Sequence, residues 1–298
     1  MNYHNPVLLT ESIDGLDINP SGVYVDVTFG GGGHSKEILN RLGPEGRLFA
    51  FDQDEDALQN ELDDERFTLI HENFRYIKRF LRLHGVSKVD GILADLGVSS
   101  HQFDEAERGF STRFDADLDM RMDQQAGLSA YHIVNKYEEE KLSAVLFQYG
   151  ELRNSRALAK EIVAARSEQP IKTSFELKEV LKRFLPKAKE HKILAQIFQA
   201  IRIEVNQEME VLKEFLLQTP ELLEKGGRLS VISYHSLEDR LVKRFIQNGL
   251  FEGEPEKDFY GNVSVPFKKA GKMIVPSQKE IKENNRARSA KLRVAIKI

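Results

Sequence analysis

Four consecutive glycines at positions 30–33 constrain this chain more than any other stretch. The β-branched and aromatic run at 23–27 before them reads as a strand ending in Asp26-Val27-Thr28-Phe29. Residues 35–42 after them read as a helix that stops at Gly43-Pro44. Strand, glycine turn and helix in that order open a parallel α/β sheet. Glycine there lets the backbone turn sharply and come close to a ligand, because no Cβ intervenes. A nucleotide-like ligand is one reading, and a flexible glycine loop is the other.

The rhythm continues downstream. Strands are predicted at 46–52, Phe67–His71 and 91–96, with a helix at 74–84. Alternation of this kind implies a parallel sheet with ligand at the carboxyl ends of its strands. The pattern then breaks. The next strand is at 227–233, roughly 130 residues on, far beyond an ordinary crossover. The interval is helical: Leu142, Val145, Leu146 and Tyr149 recur at helical spacing, as do Leu158, Ile162 and Val163. Thr173 and Glu176 form a capping-box signature ahead of Leu177, Val180, Leu181 and Phe184. A long helix at 193–218 leads back to the sheet, and 273–276 and 292–296 supply edge strands. The domains expected are a discontinuous core, 1–112 with 207–298, and an inserted helical domain, 113–206.

The 298 residues contain no cysteine, which excludes disulfides, thiolate zinc sites, iron–sulfur clusters and a thiolate nucleophile. No HExxH pair occurs, so no metal is expected. No apolar run approaches a membrane span, and residues 1–6 do not resemble a secretory signal, so the cytoplasm is the expected location. Net charge is −4, yet from Lys268 to Ile298 ten Lys and Arg face only Glu280 and Glu283. Such a basic tail is either a polyanion surface or a solvated face.

Asp52 ends the second strand about 20 residues past the glycines, where this architecture places an acid on a ribose. Both a nicotinamide dinucleotide and S-adenosylmethionine carry that ribose. A dinucleotide turn wants a third glycine where this chain has Lys36, so the turn favours S-adenosylmethionine, whose amino and carboxylate groups need no pyrophosphate cradle. The fourth strand ends in Asp95-Leu96-Gly97-Val98-Ser99-Ser100, an acid and two hydroxyls at a strand tip suited to accept hydrogen bonds from an amine. A local backbone cap is the plainer reading of Asp95. Asp26, Asp52 and Asp95 converge if the strands take the usual order.

These blocks resemble the ribosomal RNA small subunit methyltransferase H family, bacterial enzymes that methylate N4 of a cytosine in 16S rRNA. The resemblance runs over nearly the whole chain. It includes His4-Asn5-Pro6-Val7-Leu8-Leu9, the glycine turn with His34-Ser35, Phe51-Asp52-Gln53-Asp54 and Asp95 through Gln102. It continues in Glu107-Arg108-Gly109-Phe110-Ser111, Leu118-Asp119-Met120-Arg121-Met122, Phe198 through Asn206, Ser233-Tyr234-His235-Ser236-Leu237-Glu238-Asp239-Arg240 and Asn285 through Ser289. The resemblance implies a Rossmann-like class I S-adenosylmethionine-dependent methyltransferase sheet with a helical insertion. It implies cofactor contacts at Gly32, Gly33, His34, Asp52, Phe74, Asp95 and Gln102, with Asp52 on the ribose and Phe74 against the adenine. One departure is Leu152 after Tyr149-Gly150-Glu151, where the family often has a second acid.

For transfer to an exocyclic amine, the site must orient a poor nucleophile and receive its proton. Asp95 with Ser99 or Ser100 is the first candidate; Asp26 and His235 are second. Candidate contacts to 16S rRNA, within the small ribosomal subunit, are Arg202, Asn206, Ser236, Arg240, Arg286 and Arg288, with His235, Lys291 and Arg293 nearby. Helix-surface hydrogen bonding is the plainer reading of Arg202 and Asn206. The sequence leaves the choice between monomer and homodimer open. Two other classes remain: a nicotinamide oxidoreductase, which would share the turn and Asp52, and a non-catalytic RNA-binding protein, which would have no use for converging acids.

Overall fold

Period-two alternation builds the sheet. In β1 (Val23–Asp26), Tyr24 faces one side and Val25 the other; in β2 (Arg47–Asp52), Leu48 and Ala50 oppose Phe49 and Phe51. Both faces are buried, as a parallel sheet covered by helices requires. Phe49 and Phe51 are almost completely enclosed, so truncating either to alanine removes about 3–5 kcal/mol.

The computed structural model describes residues 6–255, 260 and 263–298, apart from the side chains of Ser100, His101 and Ala106. His4 and Asn5 of the opening block, and the Ser100 side chain, therefore lie outside what is described. The remaining strands are β3 (Phe67–His71), β4 (Val89–Asp95), β5 (Leu223–Ser233), β6 (Phe267–Lys269) and β7 (Lys291–Lys297). Their order is β3-β2-β1-β4-β5-β7-β6; β1 to β5 run parallel, and β7 lies antiparallel between β5 and β6. This is the Rossmann-like α/β class expected, with its topological switch between β1 and β4.

The helices, in chain order, are α1 (Leu9–Leu16), α2 (Gly33–Arg41), α3 (Ile77–Leu83), α4 (Ser100–Asp104), α5 (Ala130–Lys136) and α6 (Glu139–Gln148). They continue with α7 (Ser155–Glu168), α8 (Ser174–Val180), α9 (Glu190–Asn206), α10 (Glu208–Leu222), α11 (Ser236–Asn248) and α12 (Gln278–Glu283). Ile13, Leu16, Ile38 and Leu39 from α1 and α2 cover one face of the sheet. Ile77 and Leu81 of α3, Phe215 of α10 and Val242 and Phe245 of α11 cover the other. Among the described residues no helix is long and apolar enough to cross a membrane.

Two compact units divide the chain: Met1–Gly97 with Met209–Ile298, and Val98–Glu208. The second begins at Val98 rather than at residue 113. It is helical around its own core of Leu142, Leu146, Leu158, Ile162, Leu177 and Ile197. Thr173 caps α8 as its spacing predicts, accepting from the Glu176 amide at 3.3 Å while Glu176 accepts from the Thr173 amide at 3.2 Å.

Three elements differ from expectation. The segment 74–84 starts as a 3₁₀ turn, Phe74–Tyr76, before α3. The single helix expected at 193–218 is two, because Gln207 takes a left-handed conformation with φ 50° between α9 and α10. Residues 273–276 are no strand: Ile274 makes one isolated bridge to Leu292, and the strand beside β7 is β6.

Candidate active site

The final residues of β1, β2 and β4 are all aspartates: Asp26, Asp52 and Asp95. Parallel register brings their carboxyl groups to one edge, on either side of the switch point. Their surroundings then separate them.

Asp26 is sealed, with no exposure. It accepts from Ser35 Oγ at 2.7 Å and from the Thr28 amide at 3.1 Å, tying β1 to the first turn of α2. Burial raises its pKa, against the pull of His34. A group with no exposed surface cannot reach a substrate amine, so Asp26, a second candidate acceptor from the sequence, is placed as an internal brace.

Asp52 receives the Gly30 amide at 2.8 Å and the Asp54 amide at 2.9 Å, which joins the glycine turn to the loop after β2. Asp54 itself caps the following 3₁₀ turn, accepting from the Asp56 amide. Burial pushes the Asp52 carboxyl up to about 6 despite those two donors. Its neighbour Gln53 accepts from Asn73 Nδ2 at 2.6 Å, which fixes the turn carrying Phe74 beside the tip of β2. The Phe74 ring meets Phe215 edge-on, with centroids 5.3 Å apart, so part of it belongs to the core.

Two of the glycines are required by the chain's own geometry. Gly32 has φ 73°, a conformation unfavourable to residues with a Cβ. A Cβ on Gly33 would collide with the ring of Pro6, so the opening segment fills the space on that side of the turn. The same segment fixes His34: its Nε2 donates to the Val7 carbonyl at 3.1 Å. A carbonyl only accepts, so Nε2 carries the proton, and Nδ1 faces Asp95 Oδ2 at 3.8 Å.

Asp95, like Asp52, is only partly buried, with 21% of its side chain exposed. Its Oδ1 accepts from Tyr234 Oη at 2.8 Å, and its amide donates to Thr28 Oγ1 at 2.6 Å. Burial raises its carboxyl to about 6, with His34 and the Tyr234 hydrogen bond opposing and Asp26 and Glu238 adding to the rise. It does not cap local backbone. Tyr234, absent from the candidates drawn from sequence, follows β5 and reaches a residue 139 positions away. No local pattern marks such a pairing.

His235 is the N-cap of α11. Its Nδ1 accepts from the Glu238 amide at 3.4 Å, and Nε2 lies 3.0 Å from the buried Glu238 carboxylate. Glu238 returns the bond to the Tyr234 and His235 amides. His235, a second candidate acceptor from the sequence, thus orders the turn that delivers Tyr234.

In the second unit, Gln102 and Ser99 cap one another across the start of α4, each accepting from the other's amide at 3.1 Å. Arg202 makes a bidentate pair with Glu208 at 2.8 and 2.9 Å, both side chains nearly buried. Asn206 accepts from the Met122 amide and donates to the Met120 carbonyl, both at 2.8 Å, clamping the 120–122 loop. Arg202 and Asn206 therefore follow the plainer reading, as internal ties.

The tail also divides. Lys291 and Arg293 share Asp239, at 3.3 and 2.7 Å; burial opposes, but the two cations hold that carboxyl below its usual range. Ser236, Arg240 and Arg288 are exposed, and Arg286 is half-exposed. Lys243 of α11, Lys269 of β6 and Lys272 line a small cleft with Arg293. Lys269 and Lys272 belong to the basic tail marked in the sequence, Lys243 lies outside it, and among the described residues none of the three has a carboxylate partner.

The family described as the MraW methylase family matches residues 1–298. A protein of Flavobacterium johnsoniae called ribosomal RNA small subunit methyltransferase H is 74% identical over 298 residues, covering 100% of this chain and 99% of its own. One of the same name from Cytophaga hutchinsonii is 59% identical over 295 residues, 98% of this chain and 99% of its own. Among solved structures, an rRNA-methylase from Clostridium thermocellum covers 98% of both chains at 13% identity and a TM-score of 0.45.

Proposed function

This chain belongs to the MraW methylase family, and from that membership we propose that it moves a methyl group from S-adenosylmethionine to N4 of a cytosine in 16S rRNA, cytosine 1402 by family resemblance. At the coarser level it is an S-adenosylmethionine-dependent methyltransferase of small-subunit rRNA. The observation that carries the finer reading is the Asp95 carboxyl: half-buried, at a strand tip beside the glycine turn, held by Tyr234 and raised to about 6. A carboxyl so tuned is ionised at neutral pH yet basic enough to take a proton from an amine.

The donor set fits a cationic ribose compound. Asp52 and Asp95 are carboxylates whose charged form burial disfavours, and a ligand bearing positive charge offsets that. Asp52 would hold the ribose hydroxyls, Phe74 would lie along the adenine, and Gly32, Gly33, His34 and Gln102 complete the expected set. S-adenosylmethionine supplies a methyl group made electrophilic by sulfonium. Asp95 orients N4 by accepting one of its hydrogens, which draws the lone pair out of conjugation. With S-adenosylmethionine bound, the N4 lone pair would take the methyl carbon as the carbon–sulfur pair returned to sulfur, and the surplus proton on N4 would pass to Asp95. Cysteine, which attack at cytosine C5 would need, is absent.

RNA is held by charge. Ser236, Arg240, Arg286 and Arg288 present the accessible groups near the α11 turn and the tail, and Lys243, Lys269 and Lys272 extend them along α11 and β6. The test is methylation of undermethylated small subunits with tritiated cofactor, followed by mapping of the modified base. Label at N4 of one cytosine is the expected result; label at C5 or on another base refutes the assignment. Asp95→Ala with cofactor still bound by calorimetry should transfer nothing, and near-normal turnover would remove Asp95 from the acceptor role.

A further inference from the structure

We infer that Tyr234 is a positioning residue for the reaction, holding the Asp95 carboxyl by Oδ1 so that Oδ2 alone is presented to the reacting amine. The inference rests on the reading of Asp95 as proton acceptor and goes beyond it by assigning its two oxygens different work.

Three observations support it. First, the Tyr234 hydroxyl donates to Oδ1 at 2.8 Å, while Oδ2 has His34 Nδ1 at 3.8 Å, beyond hydrogen-bond reach. With Oδ1 engaged, rotation of the carboxyl would break a bond to an ionised acceptor, which is among the stronger kinds. Second, Tyr234 is itself fixed on two sides. Its amide donates to the buried Glu238 at 2.8 Å, and Gly97 leaves room for its ring, since a Cβ there would lie 3.3 Å from Cδ2. Gly97 also has φ 110°, which only glycine adopts readily. Third, the remainder of the carboxyl's surroundings explains why a donor is needed. The groups facing Asp95 are His34 from α2, Tyr234 after β5, Asp26 from β1 and Glu238 from α11. Two are carboxylates that discourage its ionisation. Tyr234 opposes them and stays protonated throughout, because burial and Asp95 together hold its phenol well above the ordinary range.

His34 completes the arrangement. Its Nε2 donates to the Val7 carbonyl, which turns Nδ1 toward Oδ2 across 3.8 Å.

The sign of the effect is fixed. The Tyr234 hydrogen bond lowers the Asp95 pKa, so its loss raises it. Tyr234→Phe keeps the ring against Gly97 and removes only the hydroxyl. Turnover should fall roughly tenfold, S-adenosylmethionine affinity by calorimetry should stay within about twofold, and the acid limb of the kcat profile should move to higher pH. Site-specific 3-fluorotyrosine at 234 keeps the fold and donates a stronger hydrogen bond, so its limb should move to lower pH. Opposite displacement of the two limbs sustains the inference. A limb that stays in place in the fluorotyrosine protein, or in Tyr234→Phe, overturns it even if turnover drops. Asp95→Asn is measured alongside. If that variant still turns over, the acceptor reading fails and this inference with it; if it is inactive while the Tyr234 limbs do not move, only this inference fails.

Discussion

Replacing Gly33 with alanine perturbs the site through Pro6, Val7 and His34. The added Cβ would enter the Pro6 ring, overlapping Cγ and standing 3.2 Å from Cδ. Pro6 must move, and Val7, the next residue, carries the carbonyl that fixes His34 Nε2. Overpacking of this kind costs about 1–3 kcal/mol. Loss of the His34 hydrogen bond adds about 1 kcal/mol. Alanine returns up to about 1 kcal/mol in helix propensity at the start of α2. The net is a destabilisation of about 1–3 kcal/mol, and for a unit of this size Tm falls by about 2–4 °C per kcal/mol. Urea unfolding and S-adenosylmethionine titration measure both consequences; stability and affinity should fall together. Pro6→Ala removes Cγ and Cδ and leaves only Cβ, at an ordinary 3.5 Å from the new methyl. Alone, it costs about 0.4–1 kcal/mol through the unfolded chain. In the double variant the collision is gone, so the two changes should couple by about 1–2 kcal/mol in the favourable direction. Strict additivity, or a Gly33→Ala protein as stable as the parent, would refute the contact chain.

Asp95 also makes a pH prediction. Its folded pKa of about 6 exceeds the unfolded value, so the folded state binds the extra proton between roughly pH 4 and 6, and stability from this group falls as pH rises through that window. Asp95→Asn escapes the effect, so its stability relative to wild type should be greater at pH 7.5 than at pH 5 by thermal melting, while the wild-type rate rises with pH through about 6; a pH-independent difference contradicts the burial argument. Arg202→Ala leaves Glu208 buried without its partner and should destabilise the helical unit by about 3 kcal/mol in urea, with no change in the salt dependence of RNA binding; a lost phosphate contact would instead flatten that slope. Reversing the charges of Lys243, Lys269 and Lys272 should reduce the slope of log affinity against log salt by at least about 0.7 per lysine, measured by filter binding, with S-adenosylmethionine affinity unchanged; an unchanged slope removes this cleft from the RNA surface.

The strands that carry the site were legible because their signal is local. Phe67–His71 is found where its apolar run predicts it and β2 ends at Asp52 as predicted, while β1 and β4 stop one residue short of the predicted ends, at Asp26 and Asp95. The failures share a cause. Residues 273–276 have strand composition, but Met273, Ile274 and Val275 are exposed and only one of them pairs. The true strand, Phe267-Lys268-Lys269, reads as part of a charge run. Gln207 breaks a helix with neither glycine nor proline, inside a periodicity that continues on both sides. At the site, the three acids were visible but their ranking was not, since Ser35 seals Asp26 and Tyr234 orients Asp95 through contacts that exist only after folding. His235 matched a catalytic residue type, yet its spacing to Glu238 follows the capping-box geometry with imidazole in place of a hydroxyl.

The order of the sheet sets an order of assembly. β6 leaves the ribosome before β7 but borders β7 alone, and β5 gains its second neighbour only when β7 arrives. Val98–Glu208, by contrast, is one uninterrupted stretch with its own core and emerges complete while half of the surrounding unit is still to be translated. Domains condense as units during synthesis, so the helical stretch can fold first, while β1 to β4 wait with the β4 edge open for β5. That waiting period is where the nascent protein is most exposed to mispairing; β5 ends it, and the seven residues of β7 then cover the outer edge of β5 from between it and β6.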